Sequence, residues 1–123
     1  MKSLDNVALE QVAGYFRALA VPLRLKMLNA LRDHERTVSE LTELSGCSQA
    51  NVSKHLAVLS QSGLVRKTAR GTAVLYRVAD PRTYQLCDLV CGQIGKRYAE
   101  EADLRRAFEG AGNQRRKKRG SPP

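Results

Sequence analysis

Aromatic residues are few in this chain: two phenylalanines, four tyrosines and no tryptophan among 123 residues. A core must therefore be built from leucine, valine and methionine. Cysteine is also scarce. Cys47, Cys87 and Cys91 make an odd set, which argues against a disulfide scaffold. No apolar run is long enough to span a membrane. The N-terminal Met1-Lys2-Ser3-Leu4-Asp5 lacks the apolar stretch of a signal peptide, so a cytoplasmic protein is expected. There is no glycine-rich phosphate loop, no nucleophile–base–orienter set and no paired carboxylates at a plausible spacing, so an enzyme is not expected. Acidic residues number 12 against 21 Lys and Arg, leaving a net charge of +9. The excess is uneven: Arg115, Arg116, Lys117, Lys118 and Arg119 carry five of those charges. The body is mildly basic, which suits a polyanion such as nucleic acid and equally a solvated surface.

What is present is a series of short amphipathic segments within a single domain. Leu9, Val12, Phe16 and Leu19 recur at helical spacing and predict a first helix over about 5–20. Val21-Pro22 interrupts it, and Pro22 suits the first position of a second helix that buries Leu23, Met27, Leu28 and Leu31. Asp33-His34-Glu35-Arg36 reads as a polar connection. Thr37 and Glu40 have capping-box spacing ahead of a third helix burying Val38, Leu41 and Leu44. Gly46 supplies a left-handed turn, Ser48 caps a fourth helix, and Gly63 ends it. Strands are expected over 64–68 and 73–78, with Arg70-Gly71-Thr72 at the hairpin tip. Asp80-Pro81 starts a long last helix, expected to stop at Gly110-Ala111-Gly112. Residues 1–110 form the domain, and 111–123 read as a disordered basic tail.

Two short helices joined by a three-residue turn predict a helix-turn-helix, whose second helix can enter a major groove with its N-terminal end toward the bases. With Val52, Leu56 and Leu59 inward, Ala50, Lys54 and Ala57 face out. Gln49, Asn51, Ser53 and His55 lie on the flanks. Gln49 and Asn51 can pair with adenine, Ser53 can read several base edges, and Lys54 suits a phosphate. Ser48 caps the helix and joins the DNA-contact candidates, as does Ala50, which permits close approach. His55 either contacts DNA or caps the packing between helices. Arg66, Lys67, Arg70, Thr72 and Arg77 sit on the glycine-tipped hairpin, a wing that can touch phosphates or the minor groove. The expected architecture is mainly α with a small β-hairpin, a winged helix-turn-helix of order α-α-α-α-β-β-α.

Pro22-Leu23-Arg24-Leu25-Lys26-Met27-Leu28, then Ser48-Gln49-Ala50-Asn51-Val52-Ser53-Lys54-His55-Leu56, then Gly63-Leu64-Val65 and Gly71 with Tyr76, resemble the ArsR/SmtB family of bacterial winged-helix repressors over roughly 5–108. The resemblance implies a homodimer built from the first and last helices, a palindromic double-stranded DNA operator, and release by an inducer. It makes Gln49, Ser53 and His55 operator-contact candidates. Val21 departs from the family, which has a polar residue before that proline, and this weakens the second helix's cap. The family's arsenite site in the third helix is put in doubt by Val38-Ser39-Glu40-Leu41-Thr42-Glu43, which holds no cysteine. Its zinc site on the last helix is unexpected, because His34 and His55 both lie elsewhere.

The dimer expectation has independent support. Leu9, Val12 and Phe16 with Leu89 give more apolar surface than one small body needs, and Gly92 and Gly95 would let two last helices approach closely. Cys87 and Cys91 lie four apart on that helix and share a face. Three readings stay open: a site for arsenite or another thiophilic metal, a redox pair, and small apolar fillers. No cofactor is required by any of them. The competing functional reading is an inducer-independent or non-specific nucleic-acid-binding module driven by the basic tail.

Overall fold

The computed structural model describes residues 3–118, with side chains described for 3–110. All but one of its helices begin where a side chain can satisfy an unpaired N–H group of the first turn. Helix α1 (Asn6–Leu19) is capped by Asp5, whose carboxylate accepts from the Ala8 N–H at 2.8 Å. Helix α2 (Pro22–Ala30) has Pro22 in its first turn, and Val21 gives it no side-chain cap, as its apolar character requires. Helix α3 (Val38–Ser45) carries a complete capping box. The Glu40 N–H donates to Thr37 Oγ1 at 3.2 Å, and the Thr37 N–H donates to Glu40 Oε1 at 3.3 Å. Helix α4 (Gln49–Gln61) starts at Ser48, which accepts from the Asn51 N–H. It ends in a Schellman motif: the Gly63 N–H meets Ser60 O, and the Leu64 N–H meets Leu59 O at 2.9 Å. That geometry needs the left-handed backbone that Gly63 adopts (φ 75°).

Two strands follow, β2 (Val65–Arg70) and β3 (Ala73–Val78), paired antiparallel from Val65↔Val78 to Arg70↔Ala73. Their turn is Gly71-Thr72, with Gly71 at φ 60°. A third strand, β1 (Arg36–Thr37), pairs with β3 through Arg36↔Tyr76 and Thr37↔Leu75, giving the sheet order β1-β3-β2. Sequence reasoning placed Arg36 in a polar connection and Thr37 as the cap of the third helix, because two residues cannot show an alternating pattern. The main-chain pairing ties the middle of β3 to the start of α3.

The chain divides into two compact units whose boundary falls inside α5 (Arg82–Lys118), between Tyr84 and Gln85. In the first unit Met27, Leu28, Leu41, Val52, Leu56, Leu59 and Leu64 are essentially inaccessible, and Leu31 and Val65 nearly so. Burying each such side chain contributes about 1.5–3 kcal/mol. Leu44, expected in this core, is instead 49% exposed at the rim of a shallow groove shared with Lys26, Met27 and Leu41. The eight residues of α3 provide only about two turns, and Leu41 takes the one fully covered position. The first turn of α5 is tied down within this unit. Tyr15 Oη and Thr83 Oγ1 are 3.1 Å apart, Tyr84 Oη donates to Leu28 O at 2.7 Å, and Arg32 lies over the Tyr84 ring.

Asp80 accepts from the Arg82 N–H and side chain, and those hydrogen bonds hold its carboxyl below the usual pKa. Gly110-Ala111-Gly112 does not end α5, which continues to Lys118. Each glycine weakens a helix by about 1 kcal/mol, which is not enough by itself to terminate one. The side chains of the basic run Arg115–Lys118, and Arg119 altogether, lie outside the described residues.

Candidate nucleic-acid interface

The helix-turn-helix is built by α3, the turn at Gly46-Cys47 with the Ser48 cap, and α4. Gly46 (φ 70°) makes the reversal possible. The inner face of α4 is sealed: Val52, Leu56 and Leu59 are 0% exposed. Its other side offers Gln49, Ala50, Asn51, Ser53, Lys54 and Ala57 to solvent. Ser48 is exposed too, with its oxygen already engaged by Asn51 N–H. The first N–H groups of α4 and the positive end of its dipole are therefore presented together with amide and hydroxyl side chains. Such a surface can donate to phosphates and read base edges.

His55 differs from these residues. It is only partly accessible, and its Nδ1 accepts a hydrogen bond from Arg24 Nε at 3.1 Å. Burial, then the charges of Arg24 and Lys54, hold its pKa below the ordinary 6.5. Arg24 was not singled out from the sequence. The pair is separated by 31 residues, and no periodicity reports it.

On the wing, strand pairing sets Arg66 directly opposite Arg77. Like charges in that position repel, which an anion between them would relieve. Lys67 lies on the other face, where it borders a cleft with Val38, Ala69, Val74 and Tyr76. Thr72 is exposed in the turn. Arg70 is engaged: its Nη2 donates to Glu35 Oε1 at 3.2 Å, forming an ion pair with the segment before β1. The other oxygen of Glu35, Oε2, is buried without a hydrogen-bond partner. The candidates on α4 and the wing all belong to the first unit, and all but His55 are exposed.

The dimer candidates divide between the units. On α1, Leu9 and Phe16 are 43% and 47% exposed, with Val12 half-buried. On α5, Leu89 is 65% exposed, and a methyl group placed on Gly92 or Gly95 would meet nothing within 4 Å. Leu89 and Gly92 line an open groove with Gln85, Asp88, Gln93 and Lys96. Cys91 is exposed and Cys87 half-buried, neither in a disulfide. Cys47 sits in the helix-turn-helix turn, with its N–H on Ser45 Oγ. Among the described residues no group of three or more His, Cys, Asp or Glu comes together to hold a metal. No helix among them is long and apolar enough to cross a membrane.

Comparison with known proteins agrees with this architecture. Residues 21–67 match the bacterial regulatory protein, arsR family. The chain is 43% identical over 77 residues to a probable mercury resistance operon repressor of Streptomyces lividans, the match spanning 63% of this chain and 62% of that one. It is 40% identical over 85 residues to the HTH-type transcriptional regulator NmtR of Mycobacterium tuberculosis, covering 69% of this chain and 71% of the relative. Among solved structures, it resembles the homodimeric winged helix-turn-helix DNA-binding domain of a possible ArsR-family regulator from Mycobacterium bovis. That likeness has a TM-score of 0.68 and 29% identity, over 79% of this chain and 95% of the other. A helix-turn-helix with a sealed inner face, a basic hairpin pinned by a third strand, and these matches lead to one assignment: the chain belongs to the ArsR family of winged helix-turn-helix transcriptional regulators, which are DNA-binding proteins and not enzymes.

Proposed function

We infer that this protein is a repressor that binds a palindromic operator as a homodimer. The observation that carries the reading is α4, which seals one face with Val52, Leu56 and Leu59 while exposing Gln49, Ala50, Asn51, Ser53 and Lys54 at its N-terminal half. Two copies would set two such helices in successive major grooves, with Arg66 and Arg77 of each wing on the backbone. The exposed apolar residues of α1 and of α5 favour a second copy as their cover, and the Mycobacterium bovis domain is homodimeric.

Anisotropy titration against the DNA upstream of the protein's own coding region tests this. Gln49→Ala with Ser53→Ala is expected to weaken operator binding far more than binding to random DNA. Equal losses on both would remove direct base reading. Deleting 113–123 should leave the operator preference intact, whereas a sequence-blind binder driven by the basic tail would lose most of its affinity.

The inducer we assign to this repressor is a soft metal ion or a thiol-reactive agent acting at Cys87 and Cys91. Their spacing puts both thiols on one face of α5, and soft ions prefer thiolate. Within one protomer the described residues provide these two sulfurs and no larger set, which fits a two-thiolate ion better than tetrahedral zinc. The Streptomyces lividans relative is a probable mercury resistance operon repressor. Release of the operator by mercury(II), arsenite or a polysulfide, abolished in Cys87→Ser or Cys91→Ser, is the expected result. Release that persists in both variants would exclude this site, and no release by any of them would leave the cysteines as fillers.

A further inference from the structure

Arg24 makes two contacts that lead away from its own helix. Its Nη1 donates to the carbonyl of Ala18 at 3.3 Å, in the last turn of α1, where a cation complements the helix dipole. Its Nε donates to Nδ1 of His55 at 3.1 Å, on α4. One side chain on α2 thus links three helices. A guanidinium offers N–H donors and no acceptor. Nδ1 of His55 must therefore be the acceptor, and the ring's one hydrogen lies on Nε2. Protonating Nδ1 would set two N–H groups against each other across 3.1 Å. The charged side chains bearing on the ring, Arg24 from α2 and Lys54 from α4, both favour the neutral form, as does burial.

We propose that Arg24 is a positioning residue for DNA binding, which locks His55 as the neutral Nε2–H tautomer so that α4 offers one N–H donor of fixed direction to a backbone phosphate. The inference rests on α4 being the DNA-reading helix. A phosphate oxygen, which only accepts, suits an Nε2–H that only donates, and the adjacent Lys54 cation, exposed on the same helix, favours a charged backbone partner over a base edge. Sequence-reading side chains lie nearer the start of α4. His55 fixes how the helix sits on the backbone.

The test begins with nitrogen-15 NMR of the imidazoles in the full chain at neutral pH. His55 is expected with Nε2 protonated and Nδ1 bare, relaxing to a tautomer mixture with a raised pKa in Arg24→Gln. A predominant Nδ1–H form in the unaltered protein overturns the proposal, and this measurement needs no variant to fold. Operator titrations complete a double-mutant cycle. Arg24→Gln and His55→Ala should each weaken binding about tenfold, and the double variant no further, because one acts through the other. The salt slope of Arg24→Gln should match the unaltered protein, whereas an arginine on a phosphate would lower it by about 1. Additive losses or a changed slope overturn the positioning role. If the tautomer is as expected and no DNA is bound at all, the reading of α4 fails while the lock itself stands.

Discussion

Residues 3–84 and the part of α5 that follows treat apolar surface in opposite ways. In the first stretch the leucines and valines of α2, α3 and α4 converge, and Val52, Leu56 and Leu59 reach zero exposure. In the second, Leu89, Ile94, Tyr98, Leu104 and Phe108 are between 51% and 73% exposed. A helix with a partnered face hides its apolar stripe, and one that displays it marks a candidate interface. The contrast separates two sources of stability. The helix-turn-helix is finished by its own core, while the apolar residues of α5 are left uncovered by the described residues.

The largest effect should come from the finished side. Leu56→Ala is expected to destabilise by about 2–5 kcal/mol, read from the urea midpoint at fixed protein concentration. A loss well under about 1 kcal/mol would mean the α4 face is not the core it resembles. On the unfinished side, Leu89→Glu combined with Ile94→Lys should convert dimer to monomer in sedimentation and remove the concentration dependence of the melting temperature. A persistent dimer would move the interface off this part of α5.

Smaller effects sharpen the same contrast. Ser48→Ala removes the cap of α4 and should lower stability by about 1 kcal/mol whether or not a dimer forms. Gly92→Ala has two signs. An isolated helix gains about 1 kcal/mol from it, yet two helices crossing at that position would be pushed apart. Melting should therefore rise at low protein concentration and dimer affinity should fall. A uniform gain would mean nothing packs against Gly92.

The smallest effect is one of pH. His55 has a lowered pKa, so the unfolded chain binds more protons than the folded one between that value and 6.5. The stability it contributes is complete above 6.5 and declines as pH falls through the folded value. Thermal melts across that window should show the decline, and Arg24→Gln should reduce it.

Much of this architecture could be read from residues that act locally. Thr37 with Glu40, Ser48 and Asp80 announce helix starts because a cap involves neighbours within three residues. Gly46, Gly63 and Gly71 announce reversals because their backbone angles are open to few other residues. The elements that escaped reading depend on distant partners. Strand β1 exists through Tyr76 and Leu75 on β3, not through any pattern in Arg36-Thr37. His55 faces an arginine 31 residues earlier, and Arg70 faces a glutamate 35 residues earlier. Leu44 fits the helical spacing of a buried position and is nevertheless half-exposed, because periodicity says which side faces inward and not how far the core extends.

The contact between Arg70 and Glu35 bears on how the wing would meet a charged duplex. An arginine that replaces small ions along a phosphate chain adds to the salt dependence because those ions are set free. Arg70 arrives with an acidic companion already in place, held by the protein and not exchangeable with the solution. Engaging a phosphate would mean leaving Glu35, so part of the attraction is cancelled inside the protein. Arg66 and Arg77, set against each other across two strands, would gain relief from the same phosphate. A phosphate meeting this wing would therefore be held more firmly between Arg66 and Arg77 than at Arg70.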